Sequence, residues 1–94
     1  AIRKERSLGV KLRQYYVEAG QLATQVTIQQ EAIRSYTVLL RGEETRFRLG
    51  ESSLFLVNAR EQKAWEALQK GIELDGKRAR ATVQLLWAAG RLVP

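Results

Sequence analysis

The 94-residue sequence contains no cysteine, no histidine and no methionine, and it has a single proline. Without cysteine, nothing indicates a disulfide framework. Without histidine, the commonest metal ligand and the commonest general base are both missing. The most apolar window, residues 83–89, is far shorter than the roughly 18 consecutive apolar residues that a membrane-spanning helix needs. These absences disfavour a disulfide-stapled fold, a histidine-based active site and a helical membrane span.

The start of the chain lacks the features of a secretory signal. It begins with alanine, and its mostly basic segment 3–6, RKER, is not followed by an apolar segment. We therefore expect a processed chain or a piece of a longer protein, with any export signal upstream.

The first half of the sequence has the spacing of a coiled-coil helix. Apolar residues recur at alternating intervals of four and three, which a strand with its period of two cannot produce. The twelve positions of this first seam are Leu8, Leu12, Tyr15, Ala19, Leu22, Val26, Gln29, Ile33, Tyr36, Leu40, Glu43 and Phe47. Only Gln29 and Glu43 among them are polar, so the pattern predicts one long helix.

A second seam of the same type follows, less cleanly. We predict that it consists of Leu54, Val57, Glu61, Ala64, Leu68, Gly71, Asp75, Ala79, Thr82, Leu86 and Ala89. Its small residues would let a partner helix approach closely. Trp65, Ile72 and Trp87 lie off this seam, and a two-helix hairpin cannot cover them. The chain is therefore expected to associate with itself or with sequence outside it.

The two helical segments are separated by a short break. Gly50 suits the left-handed position that ends a helix, and Ser52 or Ser53 suits the N-cap of the next helix. The sequence therefore predicts an all-α fold, a long antiparallel two-helix coiled-coil hairpin with one helix over about 4–47, a tip at 48–52 and a second helix over about 53–90.

No catalytic constellation is recognisable, so we expect no enzyme activity, no metal and no cofactor. Ser52 and Ser53 have no base beside them and are interpreted as helix caps. Glu43 is unusual because it is a carboxylate on an apolar seam. Either the seam is solvated there or Glu43 pairs with Arg46 or Arg60, or its face lines a polar channel.

The stretch 48–60, RLGESSLFLVNAR, resembles the hairpin tip of the TolC-like outer-membrane efflux protein family. The matching positions are Gly50, Ser52 or Ser53, Leu56 or Val57, Asn58, Ala59 and Arg60. Phe55 departs from the family pattern, which has a polar residue there. The closing LLWAAGRL at 85–92 and the opening RKER at 3–6 are also similar to segments of the family.

The resemblance implies a transport conduit. Members of the family are exported trimers, in which helices form a periplasmic tunnel and strands form an outer-membrane barrel. This chain looks like the hairpin of the second repeat, a part of the larger α-helical barrel, in the periplasm and outer membrane. Its tip would dock a periplasmic adaptor (membrane fusion) protein of a tripartite pump through Arg48, Leu49, Gly50, Ser52, Ser53, Leu54, Asn58, Ala59 and Arg60. Tyr36 and Glu43 would be candidates for the tunnel constriction.

The charge distribution leaves an alternative open. The net charge of +6 is concentrated at the chain ends, with five basic and two acidic residues in 1–20 and four basic and no acidic residues in 77–94. An autonomous basic helical protein could use such ends to bind nucleic acid or anionic lipid. Nucleic acid is the less favoured partner, because no aromatic residues alternate with the first basic group. The expected cluster is Arg3, Lys4, Arg6, Lys11, Arg13, Lys77, Arg78 and Arg80.

Overall fold

The computed structural model describes the backbone of residues 2–92 and the side-chain surroundings of residues 9–91. It consists of two long helices, α1 over Ile2–Arg48 and α2 over Leu54–Leu92, which form a hairpin. No strand occurs within 2–92. The predicted all-α helical hairpin is confirmed, and residues 49–53 form the turn between the helices.

The chain divides into two compact units. One, here called the turn unit, is Thr27–Glu73. The other, the terminal unit, combines Ala1–Val26 with Leu74–Pro94. Each unit therefore contains one segment of α1 and one segment of α2.

The first seam is the face that α1 buries. From Leu12 to Glu43, each of its positions is buried or half-buried, whereas Phe47 is exposed. Leu8 lies outside the residues whose side chains are described. The 4–3 spacing is thus confirmed as the packing face of α1, because side chains at these intervals share one side of a helix.

The second seam was predicted in the wrong phase. Beyond Val57, the covered positions of α2 are Arg60, Ala64, Ala67, Gly71, Leu74, Ala81, Leu85, Ala88 and Ala89. Seven positions assigned to the seam are instead exposed: Leu54, Glu61, Leu68, Asp75, Ala79, Thr82 and Leu86. The buried face is offset by about one residue and is built largely from alanine and glycine. Small side chains leave space for the facing helix, so most of the contact consists of them, and the larger Leu68 and Leu86 remain outside.

Two contacts in the turn unit show how closely the helices approach. A Cβ atom added to Gly71 would lie 2.8 Å from Ile33 Cδ1. The buried Gln29 side chain donates a hydrogen bond from Nε2 to the Ala67 carbonyl oxygen at 2.8 Å. Gly71 therefore forms a recess for α1, and Gln29 links the two helices directly.

Among the described residues of the terminal unit, four apolar residues are buried: Val26, Leu74, Ala81 and Ala88. Within residues 2–92, neither helix contains a stretch apolar and long enough to cross a membrane.

Candidate functional site

The end of α1 is locked by a specific turn. The Glu51 amide donates to the Arg46 carbonyl at 2.8 Å, and the Gly50 amide donates to the Phe47 carbonyl at 3.0 Å. This pair of bonds is the Schellman motif, with Gly50 in the left-handed conformation at φ +77°. Glycine adopts this conformation without the strain that a side chain would bring. The prediction that Gly50 ends the first helix is confirmed.

The start of α2 is capped by Ser53. Its hydroxyl oxygen accepts a hydrogen bond from the Leu56 amide at 3.3 Å, and its carbonyl accepts the first helical bond from the Val57 amide at 3.1 Å. This is the N-cap geometry. Of the two serines considered, Ser53 is the cap, which leaves Ser52 for another contact.

Ser52 contacts the carboxylate of Glu43. Its Oγ donates a hydrogen bond to Glu43 Oε2 at 2.6 Å. Arg46 Nη1 lies 3.6 Å from the same oxygen, and Arg60 Nε lies 3.5 Å from Glu43 Oε1. The Glu43 side chain is only 5% exposed. One carboxylate thus joins α1, the turn and α2, and we call these four residues the Glu43 cluster.

The protonation of Glu43 follows from these contacts. The hydrogen bond from Ser52 holds the pKa of this carboxyl below its ordinary value of 4.5. Desolvation acts in the opposite direction, and the positive charges of Arg46 and Arg60 lower the pKa further. The carboxylate is therefore ionised at neutral pH. Of the interpretations of Glu43, the pairing with arginine is the one that the structure shows.

The outer surface of the turn is apolar. Leu49, Leu54 and Phe55 are exposed, and Phe55 is the most exposed large hydrophobic residue described, at 79%. Phe47 and Leu56 are exposed as well, to a smaller extent. The same turn contains the Glu43 cluster, in which the carboxylate is buried and the arginine side chains remain partly exposed. The turn therefore presents a hydrophobic surface on a rigid base, and we call Phe47, Leu49, Leu54, Phe55 and Leu56 the apolar cap.

The remaining candidates at the tip divide into inward and outward side chains. Ser52 and Arg60 are half-buried against Glu43. Arg48, Asn58 and Ala59 are exposed, and Arg48 also donates to the Thr45 hydroxyl at 3.3 Å. The outward group is accessible to a partner, whereas the inward pair orders the turn.

Phe55 is the residue that sequence reasoning passed over. It was regarded only as a departure from the family pattern, although it supplies the most exposed aromatic surface of the turn. The sequence did contain a signal for this exposed residue: it is a bulky aromatic residue two positions after the helix cap, and it belongs to neither seam.

The two constriction candidates lie on the covered face of α1. Tyr36 is half-buried and Glu43 is buried. Both occupy first-seam positions, so they lie on the face that packs against α2. A constriction role for them remains a prediction.

The expected basic cluster is only partly assembled. Lys77 and Arg80 line one groove, whereas Arg13 lines other surface depressions. Arg78 pairs with Asp75 at 3.8 Å. Arg3, Lys4 and Arg6 lie outside the residues whose side chains are described, and Lys11 is exposed. The described part of the chain thus concentrates two of these cations at one place rather than forming one broad basic surface.

Metal-ligating residues are not grouped in the described part of the chain, where no three carboxylates come together. No family model, curated protein or solved structure matches this chain.

Proposed function

We propose that this chain is a helical hairpin from the periplasmic tunnel of an outer-membrane efflux or secretion duct of the TolC-like type. In this proposal the turn docks the periplasmic adaptor protein of a tripartite pump. The observation that carries the proposal is the apolar cap held on the Glu43 cluster, within the stretch 48–60 on which the resemblance rests.

The apolar cap has the properties of a docking surface. Several large apolar side chains exposed within one short segment are unfavourable in water, and exposed apolar surface is typical of protein contact sites. Here they lie on a turn fixed by the Schellman motif and by Glu43. A rigid turn loses little conformational entropy on binding, which favours association. Arg48 and Asn58 border this surface and can supply polar contacts at its rim.

The outer face of α2 supports a place in a wall of helices. Trp65, Leu68, Ile72 and Leu86 are exposed. Each of them follows a covered position of α2 by one residue, so α2 has two neighbouring apolar faces. A helix with two such faces is suited to packing between two other helices. In the proposed duct, a neighbouring hairpin of the trimer would cover the second face, and other parts of the protein would reach the outer membrane.

Site-specific cross-linking tests the docking. Because residues 1–94 contain no cysteine, Leu54→Cys introduces one thiol in the apolar cap, and it is combined with cysteine-free sequence in the rest of the full-length protein. Val38→Cys is the matched control, since Val38 is an exposed apolar residue of the turn unit away from the turn. We expect a photoreactive label at position 54 in the full-length protein to capture the adaptor, and the label at position 38 to capture little.

Two results would contradict the proposal. One is equal capture of the adaptor from positions 54 and 38, which would mean that the turn has no special role. The other is fractionation of the full-length protein away from the outer membrane.

A further inference from the structure

A polar groove lies between the two helices of the terminal unit, with a volume of about 290 Å³. Its base is formed by the apolar Leu22 and Ala81. Its walls carry the side chains of Glu18, Gln21, Gln25, Lys77, Arg80 and Gln84. The volume is large compared with the roughly 30 Å³ that a water molecule occupies in the liquid. The groove can therefore hold a small polar group.

The terminal unit accounts for the whole net charge of the chain. It contains nine basic and three acidic residues, whereas the turn unit contains seven of each. The net +6 is thus confined to the unit that holds the groove. Such a potential attracts anions and raises their local concentration.

Lys77 and Arg80 are the cations of the groove. Among the described residues, neither has a carboxylate within ion-pair distance, although Arg34, Arg46, Arg60, Lys63 and Arg78 all do. Lys77 and Arg80 are three residues apart on α2, so their side chains lie on the same side of the helix. The groove therefore holds two neighbouring positive charges that no described residue neutralises.

The other groove residues fit an anionic ligand with several oxygens. The three glutamine amides each provide N–H donors. The only carboxylate of the groove is Glu18, which lies seven residues from Gln25 along α1, about 10 Å at the rise of a helix. An anion would therefore bind toward the end of the groove that is farther from Glu18.

We infer that the part of the groove formed by Gln21, Gln25, Lys77 and Arg80 is a binding site for a phosphate group; Gln84 lies at the end near Glu18, since the helices are antiparallel. A guanidinium and an ammonium with amide donors around them form charge-assisted hydrogen bonds to phosphate oxygens. The phosphate could belong to a soluble compound or to a lipid headgroup, and the chemistry of recognition is the same. The site is independent of the turn and of any adaptor, so the two proposals stand or fall separately.

The first experiment measures the binding of inorganic pyrophosphate to the 94-residue chain by calorimetry at constant ionic strength. Each cation lost in Lys77→Gln or Arg80→Gln should weaken binding by about tenfold, which corresponds to one charge-assisted hydrogen bond. In NMR spectra, the side-chain amides of Gln21 and Gln25 should shift on titration, and that of Gln84, at the Glu18 end of the groove, should shift less. Helix content is compared by circular dichroism, and both residues are exposed, so the fold should be retained.

The matched control removes two positive charges from a similar groove of the turn unit. Lys63 and Lys70 line that groove, of about 240 Å³, together with Glu66, which pairs with Lys63 at 3.9 Å. The double variant Lys63→Gln/Lys70→Gln should leave pyrophosphate binding within about twofold of the original, because the remote charges act only through screened long-range attraction.

The second experiment separates the two sources of phosphate. Vesicles of phosphatidylglycerol are compared with vesicles of phosphatidylcholine, in a Trp65→Phe background that leaves Trp87 as the single indole. Trp87 is exposed and continues the face of Lys77, Arg80 and Gln84 along α2. A blue shift of its emission with phosphatidylglycerol alone indicates a lipid headgroup, and pyrophosphate binding without a shift indicates a soluble phosphate.

Either result supports the site if Lys77→Gln and Arg80→Gln weaken the binding of the corresponding probe. Binding of neither probe would overturn the inference. Equal weakening by the control pair would also overturn it, because attraction would then come from overall charge rather than from the groove.

Discussion

The close approach of α2 to α1 at Gly71 gives the sharpest test of the packing. A Cβ at Gly71 would meet Ile33 Cδ1 at 2.8 Å, whereas a Cβ at Gly42 would meet nothing within 4 Å. Both glycines are helical and belong to the turn unit. Gly42→Ala therefore serves as a control that changes helix propensity without changing the helix contact.

The two substitutions should differ by a measurable amount. Alanine is favoured over glycine inside a helix by about 0.8–1 kcal/mol, so Gly42→Ala should stabilise the chain by about this much. Gly71→Ala gains the same propensity, but Ile33 must leave its rotamer, at a cost of about 0.5–1.5 kcal/mol. We expect the two effects to cancel approximately. Gly71→Leu cannot be relieved by one rotamer change and should destabilise by about 1–3 kcal/mol.

Thermal unfolding followed by circular dichroism measures these differences. For a domain of this size, 1 kcal/mol corresponds to a change in Tm of about 4–8 °C. Gly42→Ala should raise Tm by that amount, and Gly71→Ala should leave it nearly unchanged. Ile33 Cδ1 is the end of a flexible side chain, so the decisive variant is Gly71→Leu: if it left Tm unchanged, the helices would not be in contact at Gly71 and the packing argument would be wrong.

Two further changes test the cluster at the turn and the phase of α2. The folded-state pKa of Glu43 is lowered, so its stabilisation is complete above the unfolded pKa and is lost as pH falls through the lower folded value. The acid-induced decrease in Tm below about pH 4.5 should be smaller in Glu43→Gln than in the original chain, and equal decreases would contradict the reasoning. Ala67→Leu should destabilise by about 1–3 kcal/mol through overpacking, while Leu68→Ala should cost no more than about 1 kcal/mol because Leu68 is half exposed. Urea denaturation of both variants measures the difference, and the reverse order would restore the phase originally predicted for α2.

The sequence was sufficient to predict α1 and the turn, for identifiable reasons. The 4–3 spacing of apolar residues indicates a helix, and among the described positions of this seam only Phe47, at its end, is exposed. Gly50 was assigned to the helix end because left-handed backbone favours glycine. Pairing of Glu43 with arginine was one of the alternatives, and the helix cap was assigned to one of two adjacent serines. These features therefore follow from local chemistry. Only the choice between the two adjacent serines and the choice between the alternatives for Glu43 needed the structure.

The phase of α2 could not be read from the sequence in the same way. Alanine occurs on both the covered and the exposed sides of this helix, as Ala67 and Ala79 show. Leu68 and Leu86 made the wrong phase look more hydrophobic than the correct one. Which face is covered depends on how closely α1 approaches, and that distance is a property of the helix pair. The groove beside Lys77 was missed for the same reason, since it exists only where two helices meet.

The two polar residues of the first seam explain how a small core specifies one alignment. Gln29 bonds to the Ala67 carbonyl at 2.8 Å, and Glu43 contacts Ser52 and Arg60 across the turn. If α2 slipped by one turn, the contacts between alanines and leucines could largely re-form, but Gln29 and Glu43 would lose their partners. An unpaired buried carboxylate is costly, and a buried amide without a hydrogen bond is unfavourable as well. Polar residues within apolar seams are known to select register at some expense in stability. We therefore attribute the alignment of the helices in the turn unit to these two side chains. The packing of the helices against each other we attribute to the alanine-lined face of α2.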